Sequence, residues 1–211
     1  MAKLRAVIFD IGRVLVRVDL QGVKAALAEG LPLSPEELWL AIEKDPRWPD
    51  WQEGRMSPRD WHLHLSKRFN LPLRFEEFTT AWNSALDPKP IHEVSLFAGL
   101  AKEYRLGLLS NTDPLHVAKL ESTYDFFAHF PRTTRTYSCS VGASKPNALI
   151  FREALKACKV KAEETVYIDD IAAYVEAARR LGFTAIHYQS PEQLRKELGQ
   201  AGIKVEKGCT T

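Results

Sequence analysis

Within the strand expected over residues 4–9, Ala6 to Phe9 form an apolar run that stops at Asp10, and short runs of similar kind recur at 106–109, 166–168 and 185–188 with helical stretches between them. Runs this short and this largely apolar suit strands covered on both faces. Strands separated by helices pair in parallel, because parallel neighbours need a crossover and hairpins do not. The pattern predicts an α/β fold built on a doubly wound parallel sheet. It is interrupted once. Between residues 20 and 86 the spacing reads as helices, over 20–29, 35–44, 58–69 and 75–85. Ser34-Pro35 and Ser57-Pro58 each offer an N-cap followed by proline at the first helical position. All five tryptophans (Trp39, Trp48, Trp51, Trp61 and Trp82) fall in this block, as expected of a small helical core. A helical block placed after the first strand predicts an insertion over the sheet rather than a separate N-terminal domain.

"DPKP" at 87–90 then reads as a stiff linker. Beyond it, helices are expected up to 104, from 114, and over 148–158, 172–181 and 191–198, with a less defined strand region at 126–130. Ser190 and Gln193 match a capping box. The tail 207–211 is expected to fray.

The 29 basic and 27 acidic residues give a formal charge of only +2 without a basic block, so nucleic acid is not an expected partner. Cys139, Cys158 and Cys209 are widely separated and odd in number, which fits neither a disulfide framework nor a CxxC metal site. No run approaches the roughly 18 apolar residues of a membrane span. The N-terminus enters the first strand directly, so no cleavable signal peptide is expected. These features predict a soluble, cytoplasmic protein.

In open α/β sheets ligands collect beyond the carboxyl ends of the strands. Three strand ends here carry polar groups: Asp10, Ser110-Asn111 and Asp169-Asp170. Lys145 precedes Pro146 at the approach to a helix. Each has a plainer use as a turn signal, a helix cap or a surface charge. Adjacent aspartates are harder to dismiss, because they repel unless a cation sits beside them.

Taken in order, "VIFDIGRVLV", "LGLLSNT", "GASKPNALIF" and "TVYIDDIAAYVEAARRLG" resemble the four motifs of the haloacid dehalogenase-like hydrolases, in the branch with a small helical cap after the first strand. The resemblance covers essentially the whole chain. It implies a Rossmann-like core over 1–18 and 89–211 and a helical-bundle cap over 19–88. It implies that Asp10 attacks a phosphoryl group and becomes an aspartyl-phosphate. Mg²⁺ would be held by Asp10, the backbone carbonyl of Gly12 and Asp170, with Asp169 beside it. Ser110 would donate to a phosphate oxygen, Lys145 would face both Asp10 and the phosphoryl group, and Asn111 and Arg13 are further candidates for phosphate contact. The substrate implied is a small phosphorylated metabolite, and the chain a monomer or a homodimer.

Four positions depart from that pattern. Gly12 stands where most phosphatases of the family carry the aspartate that protonates the leaving alcohol. The Asp-x-Gly form resembles a subgroup of sugar-phosphate phosphatases, and an anomeric leaving oxygen would suffer less from a missing acid. Asp113 and His116 are the candidate replacements, with His116 favoured as a solvated helix residue. Asn147-Ala148 replaces Asp-Pro after Lys145-Pro146, and Asn147 is still expected to cap its helix. Tyr174 stands where the fourth motif carries Asn or Asp, weakening support around Asp170. Arg13 is equally open to an ion pair with Asp19 or the cap. Trp51, Glu53, Arg55 and His62 lie where the family selects substrates, though packing and surface polarity explain each of them as well. Two rival functions remain: a catalytically weak or silent protein binding a phosphate compound or a protein partner, and a haloacid dehalogenase, against which the Asp169-Asp170 pair argues.

Overall fold

The computed structural model describes residues 3–205; Cys209 and the rest of the 207–211 tail lie outside them. Strand β1 (Ala6–Phe9) is buried along its whole length. Val7 and Phe9 face one apolar cluster, and Ile8 faces another. Both faces of the strand are covered, which is why its sequence does not alternate.

After β1 a tight turn, with Arg13 in left-handed backbone (φ 58°), leads into β2 (Val16–Val18). Five helices follow: α1 (Gln21–Ala28), α2 (Pro35–Glu43), α3 (Trp48–Gln52), α4 (Pro58–Phe69) and α5 (Phe75–Asn83). Strand β3 (Leu86–Pro90) then returns antiparallel to β2. Next come α6 (Val94–Leu100), β4 (Arg105–Ser110), α7 (Pro114–Thr123), β5 (Arg135–Tyr137), α8 (Ser138–Val141) and α9 (Ala148–Cys158). The described chain closes with β6 (Thr165–Asp169), α10 (Ala172–Arg180), β7 (Thr184–His187) and α11 (Pro191–Gln200).

The main sheet has the order β5-β4-β1-β6-β7, with every pairing parallel. Helices α6 and α11 cover one face through Leu96, Phe97, Leu194 and Leu198, and α9 and α10 cover the other through Ile150, Phe151 and Ala178. This is the doubly wound arrangement. The chain moves outward from β1 through β4 to β5, then crosses back to β6 and β7, so the winding reverses at β1. Phe9 pairs in register with Leu108 on one side and Ile168 on the other. Asp10, Leu109 and Asp169 therefore emerge level at the carboxyl edge, with Ser110 and Asp170 one residue further on.

The helices between β2 and β3 close on their own apolar cluster, which takes in Trp39, Trp51, Trp61, Phe78 and Trp82 together with Leu115 of α7. Trp51 and Trp61 stack with centroids 5.8 Å apart. Ser34 and Ser57 cap α2 and α4 as their Ser-Pro pairs predict. No helix among the described residues is long and apolar enough to cross a membrane.

Several local expectations are corrected. The region at 126–130 is a 3-10 turn (Asp125–His129), not a strand. Phe126, Phe127 and Phe130 have helical spacing and pack on Phe97 and one another. The edge strand instead is β5, three residues of mixed polarity that pair only with β4. Residues 87–90 are not merely a linker, since they pair with β2 as a two-stranded ribbon. Helix α3 was not expected. Ser190 caps α11 by accepting from Gln193 N, but the Gln193 side chain accepts from Gln189 N, one residue short of a full capping box.

Candidate active site

The tips of β1, β4 and β6 border a cavity of about 200 Å³ at the carboxyl edge of the sheet. Asp10, Gly12 and Asp170 line one part of it, and Ser110, Asn111 and Lys145 another. Arg13, Val18, Ile171 and Tyr174 complete the wall. A depression of about 460 Å³ lies at the opposite edge, beside Arg5 and Arg105, away from these strand tips.

Lys145 organises the charges. Its Nζ lies 2.9 Å from Asp10 Oδ1, 2.7 Å from Asp169 Oδ2 and 3.2 Å from the Leu109 carbonyl. Three ammonium protons meet three acceptors. Burial opposes the charge on Lys145, but Asp10 and Asp169 outweigh it and hold the ammonium above its usual pKa. The Asp10 carboxyl is pushed up to about 6 by burial, with Lys145 pulling it down and Asp169 pushing it further up. Burial and then Asp169 also raise Asp170. The site therefore holds more negative charge than one lysine offsets.

Carboxylate oxygens of Asp10, Asp169 and Asp170 lie within 4.8 Å of one another. Their engagements differ. Asp169 Oδ2 also accepts from the Tyr167 hydroxyl, and Oδ1 accepts from Ile171 N at 2.8 Å. With both oxygens engaged and the side chain fully buried, Asp169 fixes Lys145 and the start of α10 rather than facing the cavity. Asp10 and Asp170 do face it. Two carboxylates, a main-chain carbonyl and a net negative charge form a hard-oxygen donor set that fits Mg²⁺.

Asn111 is also committed. Its Oδ1 accepts from Lys145 N at 2.7 Å, and its Nδ2 donates to the Lys145 carbonyl at 3.1 Å and to Tyr174 Oη at 3.4 Å. It clasps the Lys145 loop to the end of β4, which leaves its amide without a spare proton for phosphate. Asn147 caps α9 by accepting from Leu149 N. Arg13 lines the cavity and pulls on the Asp170 charge; Asp19 instead accepts from Gln21 N.

The candidate substitutes for the missing acid lie elsewhere. Asp113 caps α7 and accepts from Leu115 N and His116 N. Its Oδ2 takes the Trp82 indole proton at 3.0 Å and faces His116 Nδ1 at 2.9 Å. His116 Nε2 bonds the Trp82 carbonyl, and the His116 ring stacks on the indole. His116 is thus a joint between α5 and α7, not a solvated helix residue, and neither side chain lines the cavity.

The four residues of the helical insertion are occupied as well. Trp51 is buried beside Trp61, and His62 Nε2 bonds the Leu73 carbonyl. Arg55 pairs with Asp50 and Glu53. Glu53 accepts from Ser144 N, next to Lys145, and so ties the insertion to the site. Among the described residues, no side chain of 19–88 lines the cavity.

Sequence reasoning missed Tyr167, whose hydroxyl supports Asp169. The signal was present: residues two apart on a strand share a face. It also treated Tyr174 only as a departure, whereas Tyr174 forms part of the cavity wall and its ring centroid lies 5.0 Å from Lys145 Nζ.

A family model described as haloacid dehalogenase-like hydrolase matches residues 4–182. A D-ribitol-5-phosphate phosphatase from Bacteroides thetaiotaomicron is 25% identical over 202 residues, covering 92% of this chain and 97% of that protein. A haloacid dehalogenase family enzyme from the same organism, crystallised with magnesium and inorganic phosphate, superposes with a TM-score of 0.78 at 21% identity, covering 89% of this chain and 96% of that one. A predicted hydrolase of the same family from Porphyromonas gingivalis gives 0.77 at 26% identity, covering 96% and 100%.

Proposed function

The chain belongs to the haloacid dehalogenase-like hydrolases, and from that premise we propose that it is a Mg²⁺-dependent phosphatase of a small sugar or polyol phosphate, acting through a phosphorylated Asp10. The observation that carries this reading is the convergence of Asp10, Lys145 and Asp170 on one cavity at the winding reversal of the sheet. The ribitol-phosphate phosphatase activity of a 25%-identical relative supports the substrate class.

In this reading the substrate phosphoryl group enters the cavity and Asp10 attacks phosphorus. The P–O bond to the leaving alcohol breaks, and water later hydrolyses the aspartyl-phosphate. Lys145 keeps Asp10 ionised and aimed through the 2.9 Å contact, and Asp169 holds Lys145 in place. Ser110 donates to a phosphoryl oxygen. Asp10, the Gly12 carbonyl and Asp170 would hold Mg²⁺, which supplies positive charge against the anionic phosphoryl group. The segment 19–88 acts as a cap, although the cavity wall before it is supplied by the turn at Arg13 and Val18 and not by the cap helices.

No side chain at residue 12 protonates the leaving group, and a general acid is worth roughly 10²- to 10⁴-fold. Turnover should therefore favour good leaving groups. Assays of p-nitrophenyl phosphate, ribitol 5-phosphate and matched hexose 1- and 6-phosphates test this, with EDTA and Asp10→Asn as controls. Metal-dependent turnover, lost by at least a thousandfold in Asp10→Asn, is the expected result; metal-independent turnover that survives the substitution refutes the reading. Equal rates on the 1- and 6-phosphates would remove the anomeric preference alone. Gly12, with Asp113 and His116 committed to Trp82, favours one second reading, a silent relative that holds a phosphate compound. Its mark would be no turnover with Mg²⁺-assisted binding of beryllium fluoride.

A further inference from the structure

We propose that Tyr174 is a substrate contact, its phenol donating a hydrogen bond to a non-bridging oxygen of the bound phosphoryl group alongside Ser110. This rests on the phosphate reading of the cavity given above. The reasoning starts from a count of donors. A phosphoryl group brings three anionic oxygens, and a dry site must offer them hydrogen-bond donors. Lys145 has already spent its three protons on Asp10, Asp169 and the Leu109 carbonyl. Asn111 has spent its two on the Lys145 carbonyl and Tyr174. Asp10 and Asp170 only accept when ionised. Among the described side chains that line the cavity, Ser110, Arg13 and Tyr174 remain.

Tyr174 is placed with more definition than Arg13. It sits in the first turn of α10, where its backbone N–H donates to the Ile171 carbonyl. Its ring lies against Lys145, with Nζ 5.0 Å from the centroid, so the ammonium holds the ring as well as the nucleophile. Asn111 Nδ2 donates to Tyr174 Oη at 3.4 Å and takes a lone pair of the phenol. The single phenolic proton is thereby turned away from Asn111, and Tyr174 is part of the cavity wall. Burial raises its pKa despite the pull of Lys145, so the proton stays on oxygen at neutral pH. Tyr174 thus sits against Asn111 and against the ammonium that contacts Asp10 Oδ1 at 2.9 Å, beside the atom that meets phosphorus in this reading. That placement assigns Tyr174 to the phosphoryl oxygens and not to the departing alcohol.

Tyr174→Phe tests this, because it keeps the ring on Lys145 and removes the hydroxyl, which takes away the phenolic donor together with the long 3.4 Å contact from Asn111 Nδ2. Three readouts are compared with wild type: affinity for inorganic phosphate with Mg²⁺ by calorimetry, kcat/KM on p-nitrophenyl phosphate, and kcat/KM on an alkyl phosphate. Loss of a hydrogen bond to a charged group should weaken phosphate binding about tenfold or more. It should lower kcat/KM by a similar factor on both substrates, with an unchanged melting temperature. Unchanged phosphate affinity overturns the proposal. A loss confined to the alkyl phosphate also overturns it, since that marks a proton donor to the leaving group. Wild type that binds phosphate without turnover removes the phosphatase reading and leaves this contact standing if the variant binds more weakly. Wild type that binds no phosphate removes both.

Discussion

At residue 12 the backbone leaves room that the chain does not use. A Cβ there would meet Val18 Cγ2 at 3.5 Å, an ordinary contact, so packing does not impose the glycine. The missing acid is a chemical feature of the site rather than a steric one. Gly12→Asp is expected to raise kcat on alkyl phosphates by roughly a hundredfold, the low end of what a general acid supplies, and to change p-nitrophenyl phosphate little. Steady-state rates on the two substrates check this; an equal change on both would mean that the new carboxylate touches something other than the leaving group. Position 12 was legible in the sequence because the resemblance places an aspartate two residues after Asp10, where this chain has glycine. The commitments of Asn111, Asp113 and His116 were not. Each depends on partners far along the chain, Lys145 for the first and Trp82 for the other two, and no local spacing encodes them.

The ribbon of β2 and β3 carries the chain out of the sheet and back, and His92 sits where it re-enters. Ile91 N donates to the Leu15 carbonyl, and the His92 ring packs edge-on against Phe97 and Tyr188. Burial holds this imidazole down to about 4, against an ordinary value of 6.5, although the Val14 backbone bond opposes the shift. A depressed histidine binds its proton more readily in the unfolded chain than in the folded one. Stability is therefore lost as pH falls from about 6.5 towards 4, by up to about 3 kcal/mol. Urea unfolding of wild type and His92→Phe across that window should show the wild type losing this much more than the variant; parallel curves would contradict it. Elements of this kind are where the sequence was hardest to read. The 87–90 stretch looked like a linker because Pro88 and Pro90 mask a strand, and Arg135–Tyr137 carries no apolar run to announce one. By contrast β1, β4 and β6 were plain, because burial on both faces leaves an uninterrupted apolar signature.

Across the whole molecule two apolar bodies meet through polar joints. Trp82 reaches Asp113, Ser138 Oγ donates to the Gln52 carbonyl at 2.7 Å, and Glu53 receives Ser144 N. Gly54 (φ +71°) lies so close to the Cys139 carbonyl that a Cβ would fall 1.9 Å from its oxygen, so the insertion touches the sheet layer backbone to backbone. The doubly wound layout behind these joints follows from strand and helix order alone. The joints themselves follow from shape, which order does not specify. What the fold achieves is to bring residues from four distant segments to one cavity around the Asp10 carboxylate, the nucleophile of the proposed reaction. Borohydride reduction during turnover, followed by peptide mapping, tests this most directly, because it converts an aspartyl-phosphate to homoserine. Homoserine at position 10, formed only with both substrate and Mg²⁺, is the expected result; an intact aspartate at 10 while product accumulates would contradict it.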